Sequence, residues 1–320
     1  MNRGPKMQHL KKNKSNTKKA DSFNNHFLDN AAAKKDMLAI LKHQKQAHNK
    51  EGAPSYKTRL DRLSRCITMI QEHKNQIIEA QNHDFGSRDP KMTTLTEIKS
   101  NIDALKYAKK HLKSWMKAQP RRSMFPLDFL GARSQVRLQP KGSVGVISPW
   151  NFAVNLAISP LAGILAAGNR VMLKPSELTP QTSVLIKKMI ESYFSKDEIA
   201  VFIGGPEIGA SFSKLPFNHL LFTGGTAVGK QIMKAAAENL VPVTLELGGK
   251  SALLVFDDCD FDVAVQTALD ANFYTAGEVC SNATRVFVQR SIADKFIAAM
   301  VEKAEQMVVG DPEFEALGFE

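Results

Sequence analysis

Glu246 and Cys280 are the two residues whose types could carry out chemistry together. Glu246 lies in Thr244-Leu245-Glu246-Leu247-Gly248-Gly249-Lys250, a strand-like apolar run that breaks at a glycine pair. Cys280 lies in Gly277-Glu278-Val279-Cys280-Ser281-Asn282, among small and polar residues. A thiol supplies a nucleophile and a carboxylate supplies a base for water, the minimum for covalent catalysis. Glu246 suits that role if it is buried. A loop-solvated carboxylate is the other reading, and Leu245 and Leu247 count against it. Cys66 falls on an apolar helical face and is expected to be inert core. Cys259 is surrounded by Asp257, Asp258 and Asp260, whose charge disfavours the attacking thiolate. The three cysteines form no CxxC pattern and His73, His83 and His111 are scattered, so no metal site is expected.

The elements that must position this pair alternate between strand and helix. Val144–Ile147, Arg170–Leu173, Ala200–Ile203 and His219–Phe222 read as short buried strands. Helical spacing runs over 156–167, 181–194 and 228–239. Such alternation predicts an α/β fold with a doubly wound parallel sheet. Ligands of these sheets bind past the carboxyl ends of the strands. Those ends carry Ser148-Pro149-Trp150-Asn151, Lys174-Pro175-Ser176-Glu177 and Thr223-Gly224-Gly225-Thr226, which therefore share one rim. Gly224 to Gly229 precedes a helix and would let a diphosphate reach free amides, or is a tight turn. Lys174 could bind a ribose hydroxyl or phosphate and Glu177 could accept from ribose hydroxyls; surface charge is the alternative for both. Asn151 offers an amide to a developing oxyanion, or caps a helix.

Residues 31–50, 56–85 and 94–116 read as scaffold helices, with Ser55 as an N-cap and a turn at 84–90. Residues 134–139 alternate like an exposed strand, expected to pair with something distant or with another subunit. The net charge of +11 is concentrated at the N-terminus, where residues 1–20 hold seven Lys or Arg and no acid. The tail reads as solvated and disordered rather than as a polyanion-binding arm, because no aromatics interleave its charges. No nucleic acid partner and no membrane partner is expected. Few cysteines and no apolar run of membrane length suggest a reduced, cytoplasmic setting.

Together these pieces resemble the NAD(P)-dependent aldehyde dehydrogenase superfamily over roughly residues 31–312. The matching motifs are Pro149-Trp150-Asn151-Phe152, Gly168-Asn169, Lys174-Pro175-Ser176-Glu177, Phe222-Thr223-Gly224, Glu246-Leu247-Gly248-Gly249-Lys250 and Gly277-x-x-Cys280. Residues 56–250 look most like coniferyl aldehyde dehydrogenases. The segment 273–312 is more similar to betaine aldehyde dehydrogenases. The resemblance implies a Rossmann-like domain that binds NAD or NADP through Ser148, Pro149, Trp150, Lys174, Ser176, Glu177, Gly224, Gly225, Gly229, Leu247 and Gly248. It implies that Cys280 attacks an aldehyde, that Asn151 and the Cys280 amide hold the oxyanion, and that Glu246 activates water. It also implies a tail over 1–30, a cofactor-binding domain over 31–246 with an oligomerisation arm near 120–142, and a catalytic domain from 247. Full-length members are expected to form homodimers.

Ala153 stands where the family has Pro, Gly225 where it has Ser, and Glu278 where it has Gln. The Gly225 change removes a hydroxyl donor. A carboxylate at 278 opposes a thiolate nearby. Family members continue well past residue 312, so the catalytic domain over 247–320 is expected to be incomplete, with exposed apolar surface. A catalytically inactive truncated fragment is the alternative to an active oxidoreductase.

Overall fold

The computed structural model describes residues 30–308 and residue 310. The basic tail reading lies outside the described residues. Helix α1 (Asn30–Glu51) is followed by α2 (Tyr56–Glu72) and α3 (Lys74–Phe85). Ser55 caps α2 by accepting the Thr58 N–H at 3.1 Å, as its type and position predict. The expected single helix over 56–85 is two helices, broken at His73. Asp89 and Pro90 start a short turn that runs into the π-helical segment Thr94–Lys99 and then α4 (Ser100–Trp115).

Next, β1 (Gln119–Arg121) pairs antiparallel with β2 (Ser134–Val136). The exposed strand near 134 therefore finds its partner locally within the chain, not at a distance. Met124, Phe125, Phe129 and Leu130, between these strands, all stand exposed.

The main sheet contains β3 (Ser143–Ile147), β4 (Arg170–Lys174), β5 (Ile199–Val201), β6 (His219–Gly224) and β7 (Val243–Leu247). Its order is β5-β4-β3-β6-β7 and every pairing is parallel. Helices α5 (Asn155–Ala166), α6 (Pro180–Tyr193), α7 (Pro206–Ser213) and α8 (Thr226–Ala237) connect the strands. The sequence pattern foresaw this sheet but not α7. Alternation along each strand feeds two cores. Val144, Val146, Val171 and Leu173 pack against α2, α4, α5 and α6. Ile147, Met172, Leu220 and Phe222 pack on the other side with α1, α7 and α8. Both faces of β3, β4 and β5 are covered, which is why these strands are near-continuously apolar.

Beyond β7, β8 (Ala252–Val255) pairs in parallel with β9 (Arg285–Val288). Helices α9 (Phe261–Phe273) and α10 (Ala293–Glu305) close a small core around Val255, Val265, Leu269 and Phe296. Leu254, Phe256, Phe287, Ile297 and Val301 remain exposed, the apolar surface expected of this part.

Candidate functional site: a nucleotide-sized cavity and an exposed thiol

The carboxyl ends of β3, β4 and β6 open onto a cavity of about 540 Å³. Ser148, Pro149, Trp150, Lys174, Ser176, Glu177, Gly224 and Gly225 all line it. The register explains this, since Ile147 sits beside both Lys174 and Phe222 across the parallel ladder. Lys174 is buried and forms an ion pair with Glu177, so the charge is aimed into the rim rather than into solvent. The Ser148 hydroxyl is buried there without a hydrogen-bond partner. Gly225 precedes α8, makes no side-chain cap, and has open space where a Cβ would stand. Free amides, open space, a buried cation and an unpartnered hydroxyl suit a polyhydroxylated anion such as a dinucleotide.

Three cofactor candidates do not line the cavity. Gly229 faces Leu247, whose Cδ2 would lie 2.7 Å from any Cβ added at that glycine. The Gly248 N–H donates to the Gly224 carbonyl at 3.3 Å, which ties the end of β7 to the end of β6. These three residues set the packing under the loop.

A second hollow of about 500 Å³ holds the thiol. Cys280 and Val279 form one wall, Phe152, Leu156 and Tyr274 another, and Leu95 and Ser100 of the scaffold helices the rest. Cys280 is exposed. The turn before it bends through Thr275 and Ala276, at φ 50° and 52°, and Gly277 at φ 80°. The Ser148–Phe152 loop connects the two cavities: Trp150 lines the first, Phe152 the second, and Asn151 lies between. The Asn151 side-chain N–H donates to the Glu278 carbonyl at 2.8 Å, which ties this loop to the thiol turn. The other thiols behave differently. Cys66 is wholly buried, and burial pushes its thiol up to about 12. A larger hollow between α1 and α6, lined by Asp36, Lys187 and Glu191, gathers none of the candidate groups.

The sequence reading missed three supporting residues. Asp84, at the end of α3, accepts the Gln181 and Thr182 N–H groups at 3.0 and 2.7 Å and caps α6 from outside. Arg88 donates to the Asn151 carbonyl at 3.2 Å. Glu97 accepts the Val154 and Asn155 N–H groups at 3.0 and 2.7 Å. A carboxylate set within the apolar helical pattern of Leu95, Ile98 and Ile102 was the available signal for Glu97, but only the fold reveals its burial and its partners.

The aldehyde dehydrogenase family model matches residues 15–318. The chain belongs to the aldehyde dehydrogenase family. It is 45% identical over 294 residues to a Caulobacter vibrioides protein named "probable coniferyl aldehyde dehydrogenase", covering 91% of this chain and 61% of that one. It is 46% identical over 260 residues to the coniferyl aldehyde dehydrogenase of a Pseudomonas species, covering 81% and 53% respectively. A substrate-bound Staphylococcus aureus AldH structure is similar at a TM-score of 0.78 and 32% identity, covering 84% of this chain and 58% of that chain. Betaine aldehyde dehydrogenase from Staphylococcus aureus, solved in complex with NAD+, matches at a TM-score of 0.79 and 30% identity, covering 89% and 57%. The chain thus spans roughly half to three-fifths of the length of these aldehyde dehydrogenases.

Within this family member the candidate base is not buried as expected. Glu246 is exposed. The reason is position: β7 is the sheet's edge strand, and Val243, Leu245 and Leu247 turn to the core. Alternation along the strand then sends Glu246 to the opposite face. Neither cavity includes it among its lining residues.

Proposed function

We propose that the chain carries the cofactor and thiol sites of an NAD(P)-dependent aldehyde oxidoreductase that converts an aldehyde, of the coniferyl type, to its carboxylic acid. One observation carries this reading: a single loop, Ser148–Phe152, lines a nucleotide-sized cavity on one side and the thiol hollow on the other. Cys280 attacks the carbonyl carbon, and the oxygen takes up negative charge. Asn151 has two side-chain N–H groups. One is held by Glu278, and the second, with the Cys280 backbone N–H, is the donor set for that oxygen. NAD or NADP, when bound, supplies the hydride acceptor that makes the adduct a thioester. Lys174, Glu177, Ser148 and the α8 amides hold the nucleotide. Glu246 takes the proton of the hydrolytic water.

The same reading assigns 31–246 to cofactor binding and 247–320 to catalysis, supported by the separate sheets β3–β7 and β8–β9. The exposed apolar arm between β1 and β2 suits self-association as a homodimer. Three unpaired cysteines suit a reducing, cytoplasmic setting. A second reading, a chain that binds nucleotide but does not turn over alone, is favoured by the exposure of Glu246 and of Leu254, Phe256 and Phe287. The test is NAD(P)H formation from a panel of aldehydes that includes coniferyl aldehyde. Turnover that Cys280→Ala abolishes supports oxidation; turnover that survives it refutes the nucleophile. Background rates throughout select the second reading.

A further inference from the structure

Arg88 and Glu97 line neither cavity, yet both grip the loop between them. Glu97 is fully buried on the π-helical segment whose Leu95 and Thr96 face the thiol hollow. Its Oε2 takes both amides, of Val154 and Asn155. Its Oε1 lies 3.4 Å from Arg88 Nη2, an ion-pair distance, and makes no hydrogen bond. Arg88 is itself buried against two rings, 4.5 Å from the Phe85 centroid and 5.6 Å from that of Phe152. Its Nη1 is shared between the Asn151 carbonyl at 3.2 Å and Gln81 Oε1 at 2.9 Å. The backbone is therefore held from Asn151 onward, by Arg88 at the Asn151 carbonyl and by Glu97 three and four residues on. From Asn151 the line continues through its amide to the Glu278 carbonyl, two residues before Cys280. Burying charged groups carries a desolvation cost that their attraction does not reliably repay, so the Arg88–Glu97 pair is more readily explained by the geometry it imposes.

We propose that Arg88 and Glu97 are positioning residues that lock Asn151 onto the turn carrying Cys280. The proposal deepens the reading of Cys280 as nucleophile, and its test needs neither aldehyde nor nucleotide. The rate of Cys280 alkylation by iodoacetamide is followed by peptide mass spectrometry on the whole chain. Wild type is compared with Asn151→Ala, Arg88→Lys, Glu97→Gln, and the two doubles that combine Asn151→Ala with each. Cys66, buried in the scaffold, reports folding: it stays unlabelled in a folded variant. Glu97→Gln is isosteric and keeps an oxygen for the two amides, so it probes the pair without emptying the site. Asn151→Ala is expected to raise the Cys280 rate about fivefold, the size of one lost hydrogen bond; Arg88→Lys and Glu97→Gln, which loosen the hold on Asn151 without deleting that bond, are expected to raise it in the same direction by less. Each double is expected to match Asn151→Ala alone, because both residues act through Asn151. Unchanged or lowered rates in both Arg88→Lys and Glu97→Gln overturn the proposal, as do effects that add in the doubles. Failure of aldehyde oxidation would overturn the proposed activity and leave this coupling standing.

Discussion

Gly229 shows how one residue can serve both a loop and a core. Its place after Gly224-Gly225 reads as part of a phosphate-binding turn, but its side-chain space belongs to Leu247, at 2.7 Å from a would-be Cβ. The obstructing atom is the far end of the flexible Leu247 side chain, which can turn aside, and Ala is favoured over Gly inside a helix by about 1 kcal/mol. Gly229→Ala is therefore expected to change stability by less than about 1 kcal/mol. A urea midpoint close to that of wild type is the check; a loss well beyond that size would mean that the end of β7 cannot give way. The thiols were more legible. Cys66 sits at helical spacing among Leu63, Ile67 and Ile70, and the structure buries all four. The burial expected of Glu246 is not found, because flanking leucines signal a buried residue between them only when both faces of that strand are covered.

Elements bring together what the sequence keeps apart. The parallel strands were readable from their apolar runs, and their order puts the three rim motifs around one cavity. The devices that fix the loops were not readable, because they join distant positions. Asp84 caps α6 from α3, and Glu97 caps the start of α5 from a π-helical segment, so no local pattern marks either. Glu97 carries a pH signature. Burial pushes its carboxyl up to about 7, against an ordinary 4.5, with Arg88 and the two amides only partly offsetting the burial. Between these values the folded chain keeps a proton that the unfolded chain has lost. The resulting stability is full below about pH 4.5 and is lost as pH rises through 7, a fall of roughly 3 kcal/mol. Two other carboxylates act in a different range. Asp197 and Glu198, whose burial is outweighed by bonds including those from Arg170 and from Arg65 and Arg62, are held low. Their contributions are lost only in acid, below this window. Glu97→Gln should remove the decline, so wild type should lose stability relative to the variant between about pH 5 and 7.5. Parallel urea midpoints for the two proteins across that range would contradict it.

On the scale of the whole molecule, the two candidate cavities differ in how completely their surroundings are built. The nucleotide-sized cavity rests on a five-stranded sheet whose strands β3, β4 and β5 are buried on both faces, with cores on each side. The thiol turn borders a two-stranded sheet with a core of a few residues and large exposed apolar side chains. Nucleotide binding should therefore be the more robust property of this chain, measurable whether or not an aldehyde is oxidised. A ligand that binds only the folded form adds stability of RT ln(1 + [L]/Kd), about 2.7 kcal/mol at roughly one hundred times Kd. NAD+ titrated against the chain should raise its melting temperature in a concentration-dependent way. Lys174→Ala should weaken that response, since it removes the buried cation at the rim and leaves Glu177 unpaired. Glu177→Gln should shift the balance of response from NAD+ toward NADP+, because a carboxylate repels a ribose phosphate and an amide does not. A melting temperature unmoved by either nucleotide, in a chain whose Cys66 stays protected, would show that the cavity is shaped by packing alone.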